Sequence, residues 1–371
     1  MSVIIFIIIL SFLVIIHELG HYFAALWSKV KIDEFGLGYP PKAFKLFRWK
    51  GTDFTVNWIP FGGFVRLQGE EGDLKKDLKQ KGQLHQATTF RKLLILLAGA
   101  SINFIFGIIA FAIVFSNTGI PKIISEARIG QISVGSPAEE VGIEANTNVI
   151  GFQAIDQEKI LISSPNDLVE QISTHRGETV KIFTSGHCEK IICEEIEKEY
   201  EVHLRLADLT PEDQGSLGVV FDQIIYQFYP PLQMPFKSVA FGIEQAMYLG
   251  MQIIQAFSHI IQGLFMHGKV TGDVAGPVGI IHQAEEIGLF EEGFLTILSF
   301  AGMLSINLAV MNVLPFPPLD GGRALFVVLE LIFKKKRTEK IEYYLNYSGY
   351  IFLLSLIVII TIKDVLRIFG R

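Results

Sequence analysis

The sequence predicts a mainly α-helical membrane protein, with about four transmembrane helices and one small α+β domain in water. Two observations predict it. Half of the 371 residues are hydrophobic and 19% are charged, a balance seldom found in a soluble chain of this length. Apolar segments of the roughly 20 residues needed to span a bilayer lie towards both ends, and a turn-rich stretch of short strand-like runs lies between them.

Four segments qualify as spans: Ser2 to Trp27, Leu93 to Phe115, Phe294 to Leu314 continuing to Phe333, and Tyr350 to Ile362. The first has no basic region before it and no small-residue cleavage site after it, so it reads as a retained helix. Between the first two spans lie Lys29, Lys31, Lys42, Lys45, Arg48, Lys50, Lys75, Lys76, Lys79, Lys81, Arg91 and Lys92. Lys334, Lys335, Lys336, Arg337 and Lys340 follow the third. The positive-inside rule puts both loops in the cytoplasm, with the termini and the section from Gly119 to Glu292 outside. A fifth apolar stretch, Lys237 to Phe265, would invert this scheme if it crossed. Its polar residues Glu244, Gln245, Tyr248, Gln252, Gln255, His259 and Gln262 fall in one narrow helical stripe, while Val239, Ile243, Ala246, Ile253, Phe257, Ile260 and Leu264 cover most of the rest. That pattern reads as an amphipathic helix lying on the membrane or against other helices.

From about Lys122 to Ala207 the chain turns to short strands and tight turns. Asn148 to Phe152 and Thr179 to Thr184 read as strands, and Asn166 to Ser173 as a helix. The expected divisions are therefore 1–118 for the first two spans, 119–210 for the outer domain, 211–290 for a linker and the amphipathic helix, and 291–371 for the last two spans. The net charge of -6 is mild and gives no reason to expect nucleic acid as a partner. Cys188 and Cys193 are too few for a disulfide framework and have no histidine at zinc-finger spacing; they read as spare thiols or one local disulfide.

The chemistry is concentrated in His17-Glu18-Leu19-Gly20-His21, at the inner end of the first span. Histidines four apart stack on one helix face and can share one ion, and two imidazoles suit zinc. Glu18, beside them, is placed to take a proton from metal-activated water. These ionisable groups follow fifteen nearly unbroken apolar residues, where charges are costly and usually functional. A catalytic zinc keeps three protein ligands, so a third is needed at the same depth. Asp320 fits, in Asn312-Val313-Leu314-Pro315-Phe316-Pro317-Pro318-Leu319-Asp320-Gly321, because the prolines break the helix and a broken helix in a membrane must face protein or water. The alternative for Asp320 is an interfacial cap on the helix that follows.

HELGH in the first span, N-x-x-P-x-P-x-L-D-G at 312–321 and the insert between them resemble the site-2 protease family, in its bacterial regulator-of-sigma form. "GSPAEEVGI" and "SPNDLVEQISTHRGETVKI" in the insert resemble a single PDZ domain, with a plain small β-rich domain as the alternative. The resemblance implies His17, His21 and Asp320 as zinc ligands and Glu18 as catalytic base. Gly99-Ala100-Ser101-Ile102-Asn103 matches the family's G-x-x-x-N element, although members more often have proline after that glycine, so Asn103 is expected to face the site. Asn312 is expected to hold substrate, and Gly276-Pro277-Val278-Gly279 resembles the segment ahead of the third span.

Asp53 to Leu67 carries a further signal. Phe54, Val56 and Trp58 alternate with polar residues, Pro60-Phe61-Gly62-Gly63 reads as a turn, and Phe64-Val65-Arg66-Leu67 follows. The resemblance implies a membrane-associated β-hairpin in which Gly62, Gly63, Phe64 and Val65 pair with substrate; the alternative is an ordinary cytoplasmic hairpin. It further implies an endopeptidase of the bacterial plasma membrane that cuts single-span proteins such as anti-sigma factors or signal-peptide remnants, with the active site towards the cytoplasm. The outer domain would bind peptides or exclude bulky ectodomains. Two other readings remain: a membrane-anchored zinc protease for exposed or misfolded segments, and a silent scaffold that binds helices without cutting.

Overall fold

The structure is a computed structural model that describes residues 2–69, 82–189, 192–194, 197–211, 214–267, 275–333 and 335–369. Lys75, Lys76, Lys79, Lys81 and Lys334 lie outside the described residues, as do the side chains of Lys335, Lys336, Arg337, Lys340, Cys188 and Cys193. The chain divides into two compact units, one of Met1–Val114 with Val239–Arg371 and one of Phe115–Ser238.

The first unit opens with α1, Ser2–Trp27. Ile4, Ile8 and Phe12 form an exposed stripe, whereas Phe6, Ile9 and Leu13 are buried in line with His17, Gly20 and His21. One face is thus suited to lipid and the other to protein. Just past the helix end, Lys29 with a φ of 59° turns the chain left-handed. Then come β1, Ile32–Trp49, and β2, Thr52–Leu67, joined at Lys50-Gly51, both with positive φ. The turn expected at Pro60 to Gly63 is present: the chain reverses within β2, because residues 53–56 run with 34–37 whereas 63–66 run against them. Gly38 (φ 79°) and Gly62 (φ 78°) supply left-handed backbone at the reversals within β1 and β2. Glu34 to Leu37 consequently have two sets of partners. On one flank they pair with Arg66, Val65, Phe64 and Gly63, running oppositely; on the other they pair with Asp53, Phe54, Thr55 and Val56 in ascending order. Residues 42–49 pair beyond 52–57, leaving 63–66 along the other margin of the sheet.

Helix α2, Thr89–Thr118, packs closely on α1. A Cβ on Gly20 would stand 2.6 Å from the Ala98 carbonyl oxygen, so only glycine permits that approach. Exposed Ile105, Ile109 and Ile113 repeat the lipid-type stripe on its far side.

The second unit is built from β3 (Ile120–Ile123), β4 (Ile129–Ile132), α3 (Pro137–Glu140), β5 (Asn148–Ala154), β6 (Ile160–Leu161), α4 (Pro165–Thr174), β7 (Thr179–Ser185), β8 (His187–Glu189), β9 (Ile192–Glu194), β10 (Lys198–His203), β11 (Val219–Phe221) and β12 (Ile224–Gln227). A sheet of order β10-β7-β5-β6 carries the core, with Phe152, Leu168, Val180, Ile182, Val202 and Leu204 fully buried. Ser164 and Asp167 form a capping box that starts α4. β11 pairs with β4 and β12 with β3, so strands beyond residue 210, where the expected domain ended, help to close the unit.

The chain then returns through α5 (Met234–His267), α6 (Pro277–Glu286), α7 (Phe294–Val313), α8 (Asp320–Leu329) and α9 (Lys335–Phe369). Among the described residues, α1, α2 and α7 are long and apolar enough to cross a membrane. α5 is outside that set despite its length, and its polar stripe, including Glu244, Gln252 and His259, is exposed as expected. Its buried seam is made of small residues, Ser238, Gly242, Ala246 and Gly250, while Val239 and Ile243 point outward. Small residues let backbones approach, and a Cβ on Gly242 would stand 3.0 Å from the Ile108 carbonyl oxygen of α2. The expected fourth span, Tyr350 to Ile362, lies within α9.

Candidate metal centre

The centre is assembled from α1, α2 and the break between α7 and α8. His17 and His21 are one turn apart on the buried face of α1, their rings 4.7 Å apart and nearly perpendicular. After α7 ends at Val313, the prolines carry the chain across to Asp320, the first residue of α8. Its Oδ2 lies 3.0 Å from His17 Nε2 and 3.2 Å from His21 Nε2, and the two Nε2 atoms are 3.0 Å apart. Among the described residues, His17, His21 and Asp320 form the cluster able to hold a metal ion.

Hydrogen bonding decides what this cluster lacks. His21 Nδ1 lies 2.8 Å from the Ile95 carbonyl oxygen, which can only accept, so the nitrogen carries the proton. In a neutral ring, His21 Nε2 is then a bare lone pair, and it faces the bare lone pairs of Asp320 Oδ2. His17 Nδ1 is also buried, without a partner among the described residues. Converging lone pairs in a site with little water repel unless a cation lies between them. Two imidazoles and one carboxylate are a zinc donor set, and the Ile95 carbonyl fixes the His21 tautomer as a supporting acceptor should. The residues fit the ion.

A cavity of about 380 Å³ opens onto this cluster. Glu18, Asn103, Asn312, Gly63, Phe64 and Val65 line it together with the three candidate ligands. Of the residues singled out from sequence, Gly62 alone does not; it sits in the reversal within β2 and packs against the Tyr39 ring. Asn103 is wholly buried, and neither its Nδ2 nor its Oδ1 has a partner among the described residues. A buried amide left open towards a cavity is a waiting hydrogen-bond site. Glu18 is half-buried, and its Cγ stands 3.3 Å from where a Cβ on Gly63 would lie.

Tyr39, Ile95 and Arg323 belong to the site but were not singled out from sequence. Arg323 had a signal, since it stands three residues after Asp320 on the same helix face. Ile95 acts through its backbone, which no side-chain pattern reveals.

Comparison with known proteins shows the family. The model of peptidase family M50 matches residues 5–356. A protein of Clostridium perfringens named as a zinc metalloprotease is 29% identical over 96% of each chain. A Campylobacter jejuni protein of the same naming is 28% identical over 98% of this chain and 93% of its own. One from Clostridium acetobutylicum is 27% identical over 98% and 97%. With apolar helices converging on a zinc donor set and a family match across nearly its whole length, this chain belongs to peptidase family M50, the site-2 proteases, and is an integral membrane zinc metalloprotease.

Proposed function

We propose that the enzyme is an intramembrane endopeptidase that cuts single-span membrane proteins within or beside their transmembrane segments. The observation that carries this reading is the shared cavity: a zinc donor set on apolar helices opens beside residues 63–65 at the margin of the β-sheet. A transmembrane helix hides its amides in its own hydrogen bonds, so it must unwind before attack. Each polar group freed in lipid costs several kcal/mol, on the order of 4–8 for an amide with no partner. The backbone of 63–66 replaces those partners by pairing with the unwound substrate as an added strand. Asn103 and Asn312 hold its carbonyl and amide groups.

His17, His21 and Asp320 hold the zinc. When bound there, zinc supplies Lewis acidity and an acidified water. Glu18 takes the water proton and returns it to the leaving amine, a transfer worth about 10²–10⁴ in rate. On this reading the site faces the cytoplasm of a bacterial plasma membrane, an orientation that the basic loops favour, α9 provides the fourth crossing, and the Phe115–Ser238 unit is a PDZ-like module outside it. Anti-sigma factors and signal-peptide remnants are the substrate classes that suit such regulated cleavage.

The test is cleavage of a tagged single-span protein in liposomes containing the purified enzyme. The wild type should cut within or next to the transmembrane segment, and Glu18→Gln should keep its zinc but not cut. Cleavage confined to soluble or unfolded segments would replace this reading with that of a membrane-anchored quality-control protease. Cleavage by neither protein would leave a scaffold.

A further inference from the structure

The zinc site accounts for the ionisable residues on α1 and α8 but not for a buried carboxylate on α9. Asp364 is 6% exposed, five residues before the end of that helix. Its Oδ2 accepts hydrogen bonds from the backbone N–H groups of Gly276 and Gly279, both 2.9 Å long. Gly276 is the N-cap of α6 and Pro277 its first residue. A helix leaves its first N–H groups without internal partners and carries partial positive charge there, so a carboxylate at that end is doubly matched. The fit is tight: a Cβ on Gly276 would stand 2.8 Å from Oδ2, and one on Gly279 2.9 Å from Oδ1. Both glycines of the Gly-Pro-Val-Gly segment are therefore explained by the approach of Asp364.

Each helix joined by this contact leads to the zinc site. Through Ile280, Ile281 and Ala284, α6 packs on Phe6, Ile9 and Leu13 of α1, the helix that carries His17 and His21. Further along α9, a Cβ on Gly349 would collide with the Pro317 carbonyl, and Phe352 lies 5.8 Å from Phe316, both in the break before Asp320. Gly349 and Asp364 are about 22 Å apart along the helix at ~1.5 Å per residue. α9 is thus pinned at one end to α6 and leans at the other on the loop that presents the third ligand.

We propose that Asp364 is a positioning residue for the reaction: its bond to the α6 N-terminus fixes α9, and α9 fixes the Pro317 loop and with it Asp320. The carboxylate touches neither substrate nor zinc. It acts through two backbone amides, and one acceptor oxygen in the same place suffices for that role.

The experiment is designed around that oxygen. Asp364→Ala should lower cleavage on the order of ten- to a hundredfold and speed the loss of zinc to a chelator, as a displaced ligand loop requires. Asp364→Asn retains an acceptor oxygen and should recover most of both. A covalent replacement supplies the decisive arm. The Gly276 Cβ position lies 3.6 Å from Ile360 Cβ, within the range of a disulfide, and removing the carboxylate frees the space. Gly276→Cys with Ile360→Cys, in an Asp364→Ala background that also carries Cys188→Ser and Cys193→Ser, should regain zinc retention and cleavage when oxidised and lose both on reduction. Wild-type behaviour of Asp364→Ala would overturn the proposal. So would a cysteine pair that does not close, or equal loss in the alanine, asparagine and oxidised variants.

Discussion

Gly99 of α2 stands against the two imidazoles: a methyl group on its Cα would lie 2.5 Å from His21 Nε2 and 2.7 Å from His17 Nε2. The helix cannot retreat to make room on that side without disturbing its contact with Gly20 of α1. Gly99→Ala should therefore remove most of the bound zinc and the activity, although no ligand is altered. Ser101→Ala, on an exposed position of the same helix, should change stability by about 0.5 kcal/mol or less. Zinc content and thermal unfolding of the two variants check the claim; full zinc in Gly99→Ala would mean that α2 does not press on the ligands.

A second prediction concerns the opposite end of α8. Lys92 Nζ lies 2.9 Å from Glu330 Oε2, and the side chains are 11% and 19% exposed. The pair joins the start of α2 to the C-cap of the helix that begins at Asp320. Breaking a fully buried pair leaves an uncompensated charge and costs on the order of 3–5 kcal/mol, and this partly buried pair falls below that range, whereas replacing both partners by apolar residues costs far less. Lys92→Met and Glu330→Leu should each lower the unfolding temperature more than the double variant does. Additive losses in the double variant would show that the charges do not depend on each other.

The two sites differ in how far they could be read from sequence. His17 and His21 are one helical turn apart, and Asp320 sits beside prolines in an apolar segment, so local pattern and the cost of charge in lipid were enough. Lys92 and Glu330, or Asp364 and Gly276, meet only through tertiary packing across 238 and 88 positions, and no periodicity links them. The β-sheet was legible in its second half, where Phe54, Val56 and Trp58 alternate before a turn, but β1 was not singled out. Pro60 to Gly63 has the chemistry of a turn and makes one, with Gly62 at a left-handed φ, while the reversals at Gly38 and at Lys50-Gly51 carry weaker signals. In α5 the polar stripe was legible, but the packing seam was not. Helices in apolar surroundings gain by close backbone approach, so Gly242 and Gly250 are buried where Val239 and Ile243 are not.

The proposed orientation makes a third prediction. In a background without Cys188 and Cys193, a cysteine at Glu170 should react with a membrane-impermeant thiol reagent in intact cells, and one at Arg48 should not. Pro235 and Met266, at the two ends of α5, should both behave like Glu170, because an amphipathic helix packed through Ser238, Gly242, Ala246 and Gly250 does not cross. Protection at only one of those ends would make α5 a span and reverse the topology of everything after it.

The fourth prediction tests strand addition. Residues 63–66 pair with Leu37 to Glu34 on one flank, and among the described residues no strand pairs on the other. Along an antiparallel strand, successive amides point alternately to the two flanks. Of Phe64 and Val65, one amide therefore serves the ladder with β1 and the other points to the open side. Proline removes the amide, so its effect should alternate: at one position it weakens the sheet, and at the other it leaves fold and zinc intact while cutting cleavage about tenfold or more. Phe64→Ala and Val65→Ala keep the amide and should cost much less at the open position. A substrate with an added Gly-Pro pair near its cut site needs less unwinding and should narrow the gap between proline and alanine. Cleavage, zinc content and thermal unfolding of the four variants on both substrates give the answer. If the alanine and proline variants lose cleavage equally at each position, side-chain packing and not backbone pairing holds the substrate, and strand addition is wrong.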